Sequence, residues 1–429
     1  MKVKCDCYNR LRKTSGTEVI HITVGIIGGG AAGLFAACFL KREGASFTLL
    51  EKTSSCGNKL LLTGHGRCNI TNRKPPEELK DGYHEASGFL RSALRAFTPD
   101  DAVEFIVNEL KVPLKEEDNN RMFPVSDKAS DIRDALVDYA GKDNIITGFE
   151  VSDISREDDR FKVTSGDGRS YLFDRLIVAA GGKSFPHTGS DGNGYELVKR
   201  TGHTVTPLSP ALTGVPVREE DREFTSSLSG VSVYAGTGLY LDNKKKNRTE
   251  GNVLFTHDGL SGPAITELAR DIPADVRERD GWIELDFTPG RDEKDVDEEL
   301  LSKMRIRPDA RLTTIGAEFV PSSLSAALGE RAGVTELRAC DVTREERRGF
   351  VRELKHLHMS IERQPSFDTA YVTRGGVALG ELKRKTFESL IVPGLFIIGE
   401  MTDIDGISGG YNLQAAMSEA YVAVRASLC

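Results

Sequence analysis

The 429-residue sequence has no run of about 20 uninterrupted apolar residues of the kind that crosses a membrane. Its most apolar run, VGIIGGGAAGLFAACFL at 24–40, contains a cluster of glycines and is followed at once by Lys41, Arg42 and Glu43. The basic N-terminal stretch MKVKCDCYNRLRKTSG lacks the apolar core of a secretory signal. These absences predict a cytoplasmic protein, and residues 1–20 are expected to form a flexible leader.

An excess of positive charge is also lacking. The chain has 57 lysines and arginines against 65 aspartates and glutamates, a formal net charge of -8. Two short basic runs, KKKNR at 244–248 and REERR at 344–348, are expected to be a solvated loop and a solvated helix face. Because basic stripes are the usual footprint of nucleic acid, we expect no nucleic-acid partner. A membrane surface or an obligate protein partner is not indicated either, which leaves a small molecule.

Cysteine is scarce and irregularly spaced. Seven cysteines, an odd number, do not form a disulfide framework, and no cysteine and histidine set has the spacing of zinc ligands. No metal is therefore expected. No C-x-x-C or C-x4-C pair follows the run at 24–40, as a dithiol redox relay requires. Cys56 and Cys68, with eleven residues between them, are expected to be buried or loop residues.

What the sequence does have is a glycine pattern between a strand and a helix. TVGIIG at 23–28 is typical of a buried strand, and residues 31–43 of a helix packed on it. Gly28 permits the tight turn, Gly30 lets the backbone approach a pyrophosphate, and Gly33 allows close packing of helix and strand. The phosphates would lie at the positive N-terminus of the helix.

A second strand, SFTLLE, ends in Glu51, eighteen residues after Gly33. A carboxylate there can accept hydrogen bonds from both ribose hydroxyls and would repel a 2′-phosphate, which favours FAD or NAD over NADP. Two later segments favour FAD. FDRLIVAAGG at 173–182 is typical of a strand returning beneath the nucleotide, and VPGLFIIGEMTDIDGISGGYNLQAA at 392–416 of a strand, a carboxylate loop and a helix opening on two glycines. That helix N-terminus suits a flavin ring, whose reduced form carries negative charge.

A second glycine fingerprint after a strand, which would mark a separate nicotinamide domain, is missing. GSDGNG at 189–194 precedes a helix, but KSFPHT before it does not read as a strand. An NADH or NADPH donor would therefore bind transiently in the substrate cleft and leave before the acceptor enters, which predicts ping-pong kinetics.

The arrangement resembles the FAD-binding fold shared by fumarate reductases and glutathione reductases, and more narrowly the BaiN-type family of NAD(P)/FAD-dependent flavoproteins, which includes aminoacetone-oxidase-like proteins. The resemblance rests on GGGAAGL, NKLLLTGHGRCNITN, FTHDGLSGPA, VTRGGV and GLFIIGEMTDIDGISGGYNLQAA, which run in family order from residue 24 almost to the end of the chain. Two positions depart from the family loop: Asn58 replaces an arginine or lysine and His65 a glycine. His65 would introduce a titratable group near the redox centre.

The candidate catalytic residues are three histidines. His257 in FTHDGLSGP would face the flavin from an inserted domain, and an imidazole pKa near 6.5 suits proton transfer, although His257 could equally order its own loop. His65 and His187 are the other two. Arg374 could pair with an anionic substrate or be a surface residue. Asp191, like His187, could reach the flavin ring. Cys68 is expected to pack inward.

Twenty positions are expected to bind the cofactor. Arg67 suits a phosphate or carboxylate and Asn69 the polar edge of the flavin, whereas packing and cofactor binding are equally open for Tyr411. The full set is Gly28, Gly30, Ala31, Ala32, Gly33, Glu51, Lys52, Lys59, Arg67, Asn69, Val151, Ala180, Gly181, Gly399, Glu400, Asp403, Gly409, Gly410, Tyr411 and Asn412.

The predicted fold class is α/β, with a Rossmann-like FAD-binding domain over 21–202 and 366–429. An inserted β-rich substrate domain is expected over 203–290 and 357–365, carrying a small helical subdomain over 291–356. The sequence favours an FAD-dependent reductase that passes hydride from NAD(P)H through flavin N5 to a small unsaturated acceptor. An FAD-dependent amine oxidase that uses dioxygen and a non-catalytic flavin-binding regulatory protein remain open.

Overall fold

A computed structural model describes residues 22–429, so the predicted leader over 1–20 lies outside the described residues. The chain divides into two compact units. Unit 1 contains the described residues up to Ser209 together with Tyr371–Cys429, and unit 2 is Pro210–Ala370. The three-part domain division expected from the sequence stays a prediction, and each unit is described by itself.

The strands in the described part are, in chain order, β1 (Thr23–Ile27), β2 (Ser46–Leu50), β3 (Thr71–Asn72), β4 (Leu114–Glu117), β5 (Arg121–Pro124), β6 (Ile145–Ile146), β7 (Val151–Glu157), β8 (Arg160–Ser165), β9 (Ser170–Phe173), β10 (Arg175–Val178), β11 (Ser209–Ala211), β12 (Val215–Pro216), β13 (Ser232–Leu241), β14 (Lys244–Thr256), β15 (Gly259–Ser261), β16 (Trp282–Asp286), β17 (Leu357–Ser360), β18 (Val372–Arg374) and β19 (Leu395–Ile397). The α-helices are α1 (Ala31–Arg42), α2 (Pro76–Leu79), α3 (Ser87–Ala96), α4 (Pro99–Glu104), α5 (Ala129–Ala140), α6 (Asn193–Arg200), α7 (Glu219–Ser227), α8 (Pro263–Ala269), α9 (Glu293–Ile306), α10 (Leu312–Gly316), α11 (Ser322–Arg331), α12 (Arg344–Lys355) and α13 (Gly409–Ser427).

Unit 1 is built on a five-stranded parallel sheet in the order β19-β10-β1-β2-β6. Its central strand β1 is buried from Val24 to Ile27, as parallel strands covered on both faces are. Helix α1 is buried over nine successive residues and packs against α13, with the Phe39 and Tyr421 rings 5.6 Å apart and perpendicular. This is the Rossmann-like α/β fold that the sequence predicts.

Local sequence features account for element boundaries in unit 1. Thr98 caps α4 ahead of Pro99, and the Thr98 hydroxyl and Asp101 carboxylate form a reciprocal capping box. The strand expected over 173–182 is shorter in the structure. β10 ends at Val178, and residues 179–182 form a loop. None of the helices between residues 22 and 429 is long and apolar enough to span a bilayer.

Unit 2 contains a six-stranded antiparallel sheet in the order β12-β15-β14-β13-β16-β17, with α9 to α12 packed into the same core. The prediction of a solvated loop at 244–248 is wrong, because these residues belong to β14. The hairpin turns at Asp242 and Asn243, whose φ angles of 53° and 58° are those of a tight two-residue turn, so pairing with β13 starts at Lys244. The helix face expected at 344–348 is also only partly solvated: Arg347 is buried and makes a bidentate pair with Asp297.

Candidate functional site

The first part of the site is the turn from β1 into α1. Gly28 has φ 99°, and a Cβ added at Gly33 would lie 1.9 Å from the Gly28 carbonyl oxygen, so both positions require glycine. A Cβ added at Gly30, by contrast, would meet no heavy atom within 4 Å. No side chain caps α1, and its first turn has no acidic residue. The N–H groups at this helix end can therefore bind an anionic group such as a pyrophosphate.

Glu51 lies directly after β2 and is buried against this turn. Its Oε2 accepts the Gly29 N–H at 2.6 Å, and its Oε1 accepts the Thr53 N–H at 2.8 Å and the Thr53 hydroxyl at 2.7 Å. The carboxylate therefore holds the glycine turn in place. Since a carboxylate can accept about four hydrogen bonds, one acceptor position is left for a ribose hydroxyl. The neighbouring Lys52 pairs with Asp191 at 2.7 Å.

A polar cluster forms where β2, β10 and β19 end. Lys59 forms an ion pair with Glu400 and also donates to the Ser184 hydroxyl. Glu400 Oε1 accepts the Ser184 hydroxyl at 2.6 Å and the Thr373 N–H at 2.9 Å. The carboxyl ends of parallel strands meet at one edge of a sheet, where open α/β folds bind their ligands. We name Lys59, Ser184, Thr373 and Glu400 the polar cluster.

The last helix, α13, supplies a second helix N-terminus. Its N-cap Ser408 makes no side-chain capping bond, and its first turn has no acidic residue. A Cβ added at Gly409 would meet nothing within 4 Å, whereas one at Gly410 would come within 2.8 Å of Asn69 Nδ2. The Asn69 side chain is buried, and its Oδ1 has no hydrogen-bond partner. An amide left unpaired beside an uncapped helix end indicates a bound polar group.

Two predicted residues of α13 have structural partners. The Asn412 amide donates to the carbonyl oxygens of Gly406 and Ser408 at 3.0 and 2.9 Å, and its Oδ1 accepts the Gly406 N–H, so it fixes the loop before the helix. Tyr411 is 4 % exposed and its ring packs against Tyr83, with centroids 5.6 Å apart. Of the two alternatives for Tyr411, packing is the one this geometry supports.

Glu419 is not singled out by the sequence, yet it contacts the turn after β19. Its carboxyl is fully buried and accepts the Gly399 N–H at 2.6 Å, holding the turn that follows β19. Gly399 has φ 72°, and a Cβ there would lie 2.7 Å from Ala32 Cβ in the first turn of α1. Burial raises the pKa of Glu419 well above its ordinary value of 4.5, against a smaller lowering by the Gly399 N–H.

Glu419→Gln is expected to stabilise the protein, and increasingly so as pH rises. In the folded protein, Glu419 stays protonated at pH values where the unfolded chain has already released this proton. Over that range the contribution of Glu419 to wild-type stability falls as pH rises, by up to about 1.4 kcal/mol per pH unit. Glutamine cannot ionise but still accepts the Gly399 N–H. Urea unfolding at about pH 5 and pH 8 measures the difference. The control is Glu196→Gln, at an exposed carboxylate paired with Lys199; an equal gain at both pH values for Glu419→Gln would contradict the argument.

Two of the three predicted catalytic histidines lie in unit 1 and one lies in unit 2. His65 and His187 are exposed in unit 1, and their rings lie 6.3 Å from Tyr371 and 5.7 Å from Phe185. His257 is exposed in unit 2, in the turn between β14 and β15, with its Nδ1 3.3 Å from the Ser226 hydroxyl.

The remaining predicted residues divide between the sheet edge and other contacts. Ala180 N–H donates to Met401 Sδ at 3.2 Å, and Gly181, with φ 79°, lies against Ser190. Burial raises the pKa of Asp403 above its usual range. Val151 opens β7, and Arg67 is held by Glu117 and Asp127 over the Phe123 ring. Arg67 already has two carboxylate partners, and its cofactor role stays a prediction.

Thiol and metal chemistry have little support in this site. Cys56 and Cys68 are free and buried, as the sequence predicts, and burial raises the pKa of each to about 12. Both are therefore protonated and unreactive at neutral pH. Between residues 22 and 429, no group of three or more His, Cys, Asp and Glu side chains could hold a metal ion.

These residues fit FAD. Two buried polar atoms, Asn69 Oδ1 beside Gly410 and Ser190 Oγ beside Gly181, have no hydrogen-bond partner among the described residues, and the space next to Gly30 and Gly409 admits a ligand at both helix ends. NAD would use the first helix end, whereas FAD can use both. Which side chains contact which part of FAD remains a prediction. A chain with this sheet and this pair of helix ends is an FAD-dependent oxidoreductase.

The chain belongs to the family of HI0933-like proteins, whose Rossmann domain matches residues 22–426. This confirms the resemblance found in the sequence. The chain is 31% identical over 410 residues to a 3-dehydro-bile acid delta(4,6)-reductase of Clostridium scindens, which covers 94% of this chain and 98% of that protein. It is also similar to two ribosomal RNA dihydrouridine synthases. The Haemophilus influenzae protein is 31% identical, and the match covers 92% of this chain and 96% of that protein. The Escherichia coli protein is 30% identical, and the match covers 92% of this chain and 95% of that protein.

Sequence reasoning missed four residues that build this edge of unit 1: Ser184, Thr373, Glu419 and Tyr371. Ser184 and Thr373 are 189 residues apart in the chain, Ser184 in the loop after β10 and Thr373 in β18. Glu419 carries a faint signal, since it is the one acidic residue in the otherwise uncharged stretch from Gly406 to Val424. Ser184 and Thr373 lie inside the quoted segments KSFPHTGSDGNG and VTRGGV, but nothing there distinguishes them from their neighbours, and no quoted segment contains Tyr371.

Proposed function

We propose that this protein is an NAD(P)H-dependent reductase of a carbon–carbon double bond conjugated to a carbonyl group. The observation that carries the proposal is what the names of its relatives share. A 3-dehydro-bile acid with delta(4,6) double bonds and the uracil ring of uridine both have a double bond conjugated to a carbonyl, and both names describe its reduction or the reduced product. The chain is about equally similar to the two kinds of protein, so the shared chemistry is a better guide than either substrate.

The overall reaction is balanced by one hydride and one proton. NAD(P)H is oxidised to NAD(P)⁺, one carbon of the double bond gains the hydride, and the other gains a proton. Bound FAD would supply the relay by accepting a hydride from the nicotinamide and passing it to the acceptor. Because the Cys56 and Cys68 thiols are protonated, a dithiol relay has no support in this site.

The side chains of unit 1 support the proposal through charge and position. The α1 N-terminus would bind the pyrophosphate, and the uncapped α13 N-terminus would stabilise the negative charge of the reduced ring. In the polar cluster, the Lys59 ammonium is held by Glu400 and Ser184, and this ion pair fixes polar groups without net charge where β10 and β19 end. His257, His65 and His187 remain candidates for moving the proton.

Anaerobic titration with NADH and then NADPH is expected to bleach the oxidised-flavin absorbance of the purified protein, with one equivalent of donor per flavin. Adding a conjugated ketone or uridine should restore the absorbance, and the two half-reactions should give ping-pong kinetics. A flavin that stays oxidised with both donors would contradict the proposal. The oxidase reading then predicts bleaching by an amine and recovery in dioxygen, and a flavin that responds to nothing supports a non-catalytic protein.

A second candidate is reduction of uridine within ribosomal RNA, which two relatives carry out by name. The net charge of -8 favours a small acceptor instead, because RNA binding relies on basic surfaces. Incubation of the reduced protein with ribosomal RNA, followed by nucleoside mass spectrometry, separates the two. A gain of two hydrogen atoms on a uridine, with no turnover of free conjugated ketones, would decide for RNA.

A further inference from the structure

Four aromatic rings of unit 1 are successive neighbours, in the order His65, Tyr371, Phe185 and His187. The Phe185 and Tyr371 rings are perpendicular with centroids 5.1 Å apart, and His187 and His65 flank them at 5.7 and 6.3 Å. Phe185 and Tyr371 are half-buried, so part of each ring is accessible, while both histidines are exposed. We name Phe185 and Tyr371 the ring pair.

The backbone at this position is strained. Phe185 has φ 50° and ψ 60°, and His65 has φ 58°, a left-handed conformation that side chains larger than glycine rarely adopt. Such conformations cost energy and persist where the surrounding structure enforces them, most often at binding and catalytic sites. Two of these four ring residues are therefore held in left-handed conformations by their surroundings.

The ring pair is continuous with the polar cluster. Ser184, which precedes Phe185, donates to Glu400 at 2.6 Å and its N–H donates to the Thr373 hydroxyl at 3.1 Å. Thr373 lies two residues after Tyr371. The Tyr371 hydroxyl makes no hydrogen bond to another residue in the described part of the chain. A phenol beside an aromatic face, with its donor unused, can hold a flat ligand that carries a carbonyl oxygen.

We propose that the ring pair binds the planar conjugated acceptor, with the Tyr371 hydroxyl donating a hydrogen bond to the acceptor's carbonyl oxygen. The inference rests on the proposed function for the kind of acceptor. A hydrogen bond to this oxygen draws electron density from the conjugated double bond, which favours hydride addition at its far carbon. The Phe185 ring supplies an apolar face of the size that a fused ring or a pyrimidine covers.

Calorimetric titration of the FAD-loaded, oxidised protein without nicotinamide tests the proposal, because binding is then measured without turnover. Testosterone provides a fused-ring conjugated ketone, and uridine provides a pyrimidine. Tyr371→Phe is expected to weaken binding of the preferred probe about tenfold, the effect of one hydrogen bond. Phe185→Leu should weaken it by a similar factor through loss of the aromatic face. The control is Tyr171→Phe, at a half-exposed tyrosine of β9 whose hydroxyl also has no partner among the described residues.

The outcomes are separable. Stronger binding of testosterone or of uridine identifies the acceptor, and loss on Tyr371→Phe with an unchanged control supports the ring pair. Binding of Tyr371→Phe within about twofold of the parent, equal loss in Tyr171→Phe, or no parent binding of either probe below about 1 mM overturns it. Flavin bleaching by NAD(P)H in the same preparations tests the proposed function independently. If NAD(P)H bleaches the flavin and Tyr371→Phe binds the probe as tightly as the parent does, only the ring-pair proposal is refuted. If the flavin stays oxidised and Tyr371→Phe binds the probe more weakly than the parent, only the proposal of an NAD(P)H donor is refuted.

Discussion

Gly30→Val is expected to give a folded protein that purifies without the yellow colour of bound flavin. A Cβ at Gly30 would meet no protein atom within 4 Å, so the substitution is compatible with the protein's own packing. The same space is where the pyrophosphate must approach the first turn of α1 if the helix end is to bind it. The branched valine side chain would occupy that space, and we expect FAD affinity to fall by more than about 100-fold, or roughly 2.8 kcal/mol.

Two variants define what Gly30→Val means. Gly88→Val places the same side chain at another glycine of unit 1 where a Cβ meets nothing within 4 Å, and it should keep stoichiometric FAD. Gly33→Ala puts a Cβ 1.9 Å from the Gly28 carbonyl oxygen and should lower stability itself. FAD is measured by absorbance after gel filtration, and folding by far-ultraviolet circular dichroism and thermal melting. A yellow, stoichiometrically loaded Gly30→Val protein would refute the nucleotide site at α1.

The nucleotide half of the site could be predicted because its constraints are local. Gly28, Gly30 and Gly33 lie within six residues, from the end of β1 into the first turn of α1, and Glu51 directly follows β2, so chain spacing alone carries the geometry. Capping is equally local, as Thr98 shows. The charged run at 244–248 suggests a loop, but the turn is set by the left-handed pair Asp242 and Asn243, and the charged residues belong to β14.

The other half of the site depends on contacts between distant segments. Lys59, Ser184, Thr373 and Glu400 come from four separate stretches of the chain, and no spacing rule relates a lysine to a carboxylate 341 residues away. The role of Tyr411 was undecidable for a related reason, because an aromatic residue at a helix start suits either a ligand or the core until Tyr83 and Gly82 are seen against it. Composition could not place Arg347 inward either, since its partner Asp297 lies on another helix.

Asn69→Leu is expected to change stability and FAD affinity in opposite directions. In the protein without cofactor, the buried Asn69 Oδ1 has no hydrogen-bond partner, and such an atom costs about 1–3 kcal/mol. Leucine has nearly the same shape and no polar atom to desolvate, so the cofactor-free variant should be as stable as the parent or up to about 1 kcal/mol more stable. If FAD forms a hydrogen bond with the Asn69 amide, the variant lacks that bond, and its affinity for FAD should fall about tenfold or more.

Asn72→Leu provides the comparison that separates a ligand contact from a structural one. Asn72 is also buried with an unpaired Oδ1, but its Nδ2 donates to the Asn119 carbonyl oxygen at 2.6 Å. Losing that hydrogen bond offsets the gain from removing the unpaired Oδ1, so the cofactor-free Asn72→Leu protein should be about 1 kcal/mol less stable than Asn69→Leu, and its FAD affinity should stay within about twofold of the parent. Urea unfolding of the cofactor-free proteins and fluorescence titration with FAD measure both quantities. If Asn69→Leu instead lowers stability and spares affinity, the Asn69 amide stabilises the fold by contacts inside the protein, and the flavin ring does not lie at the N-terminus of α13.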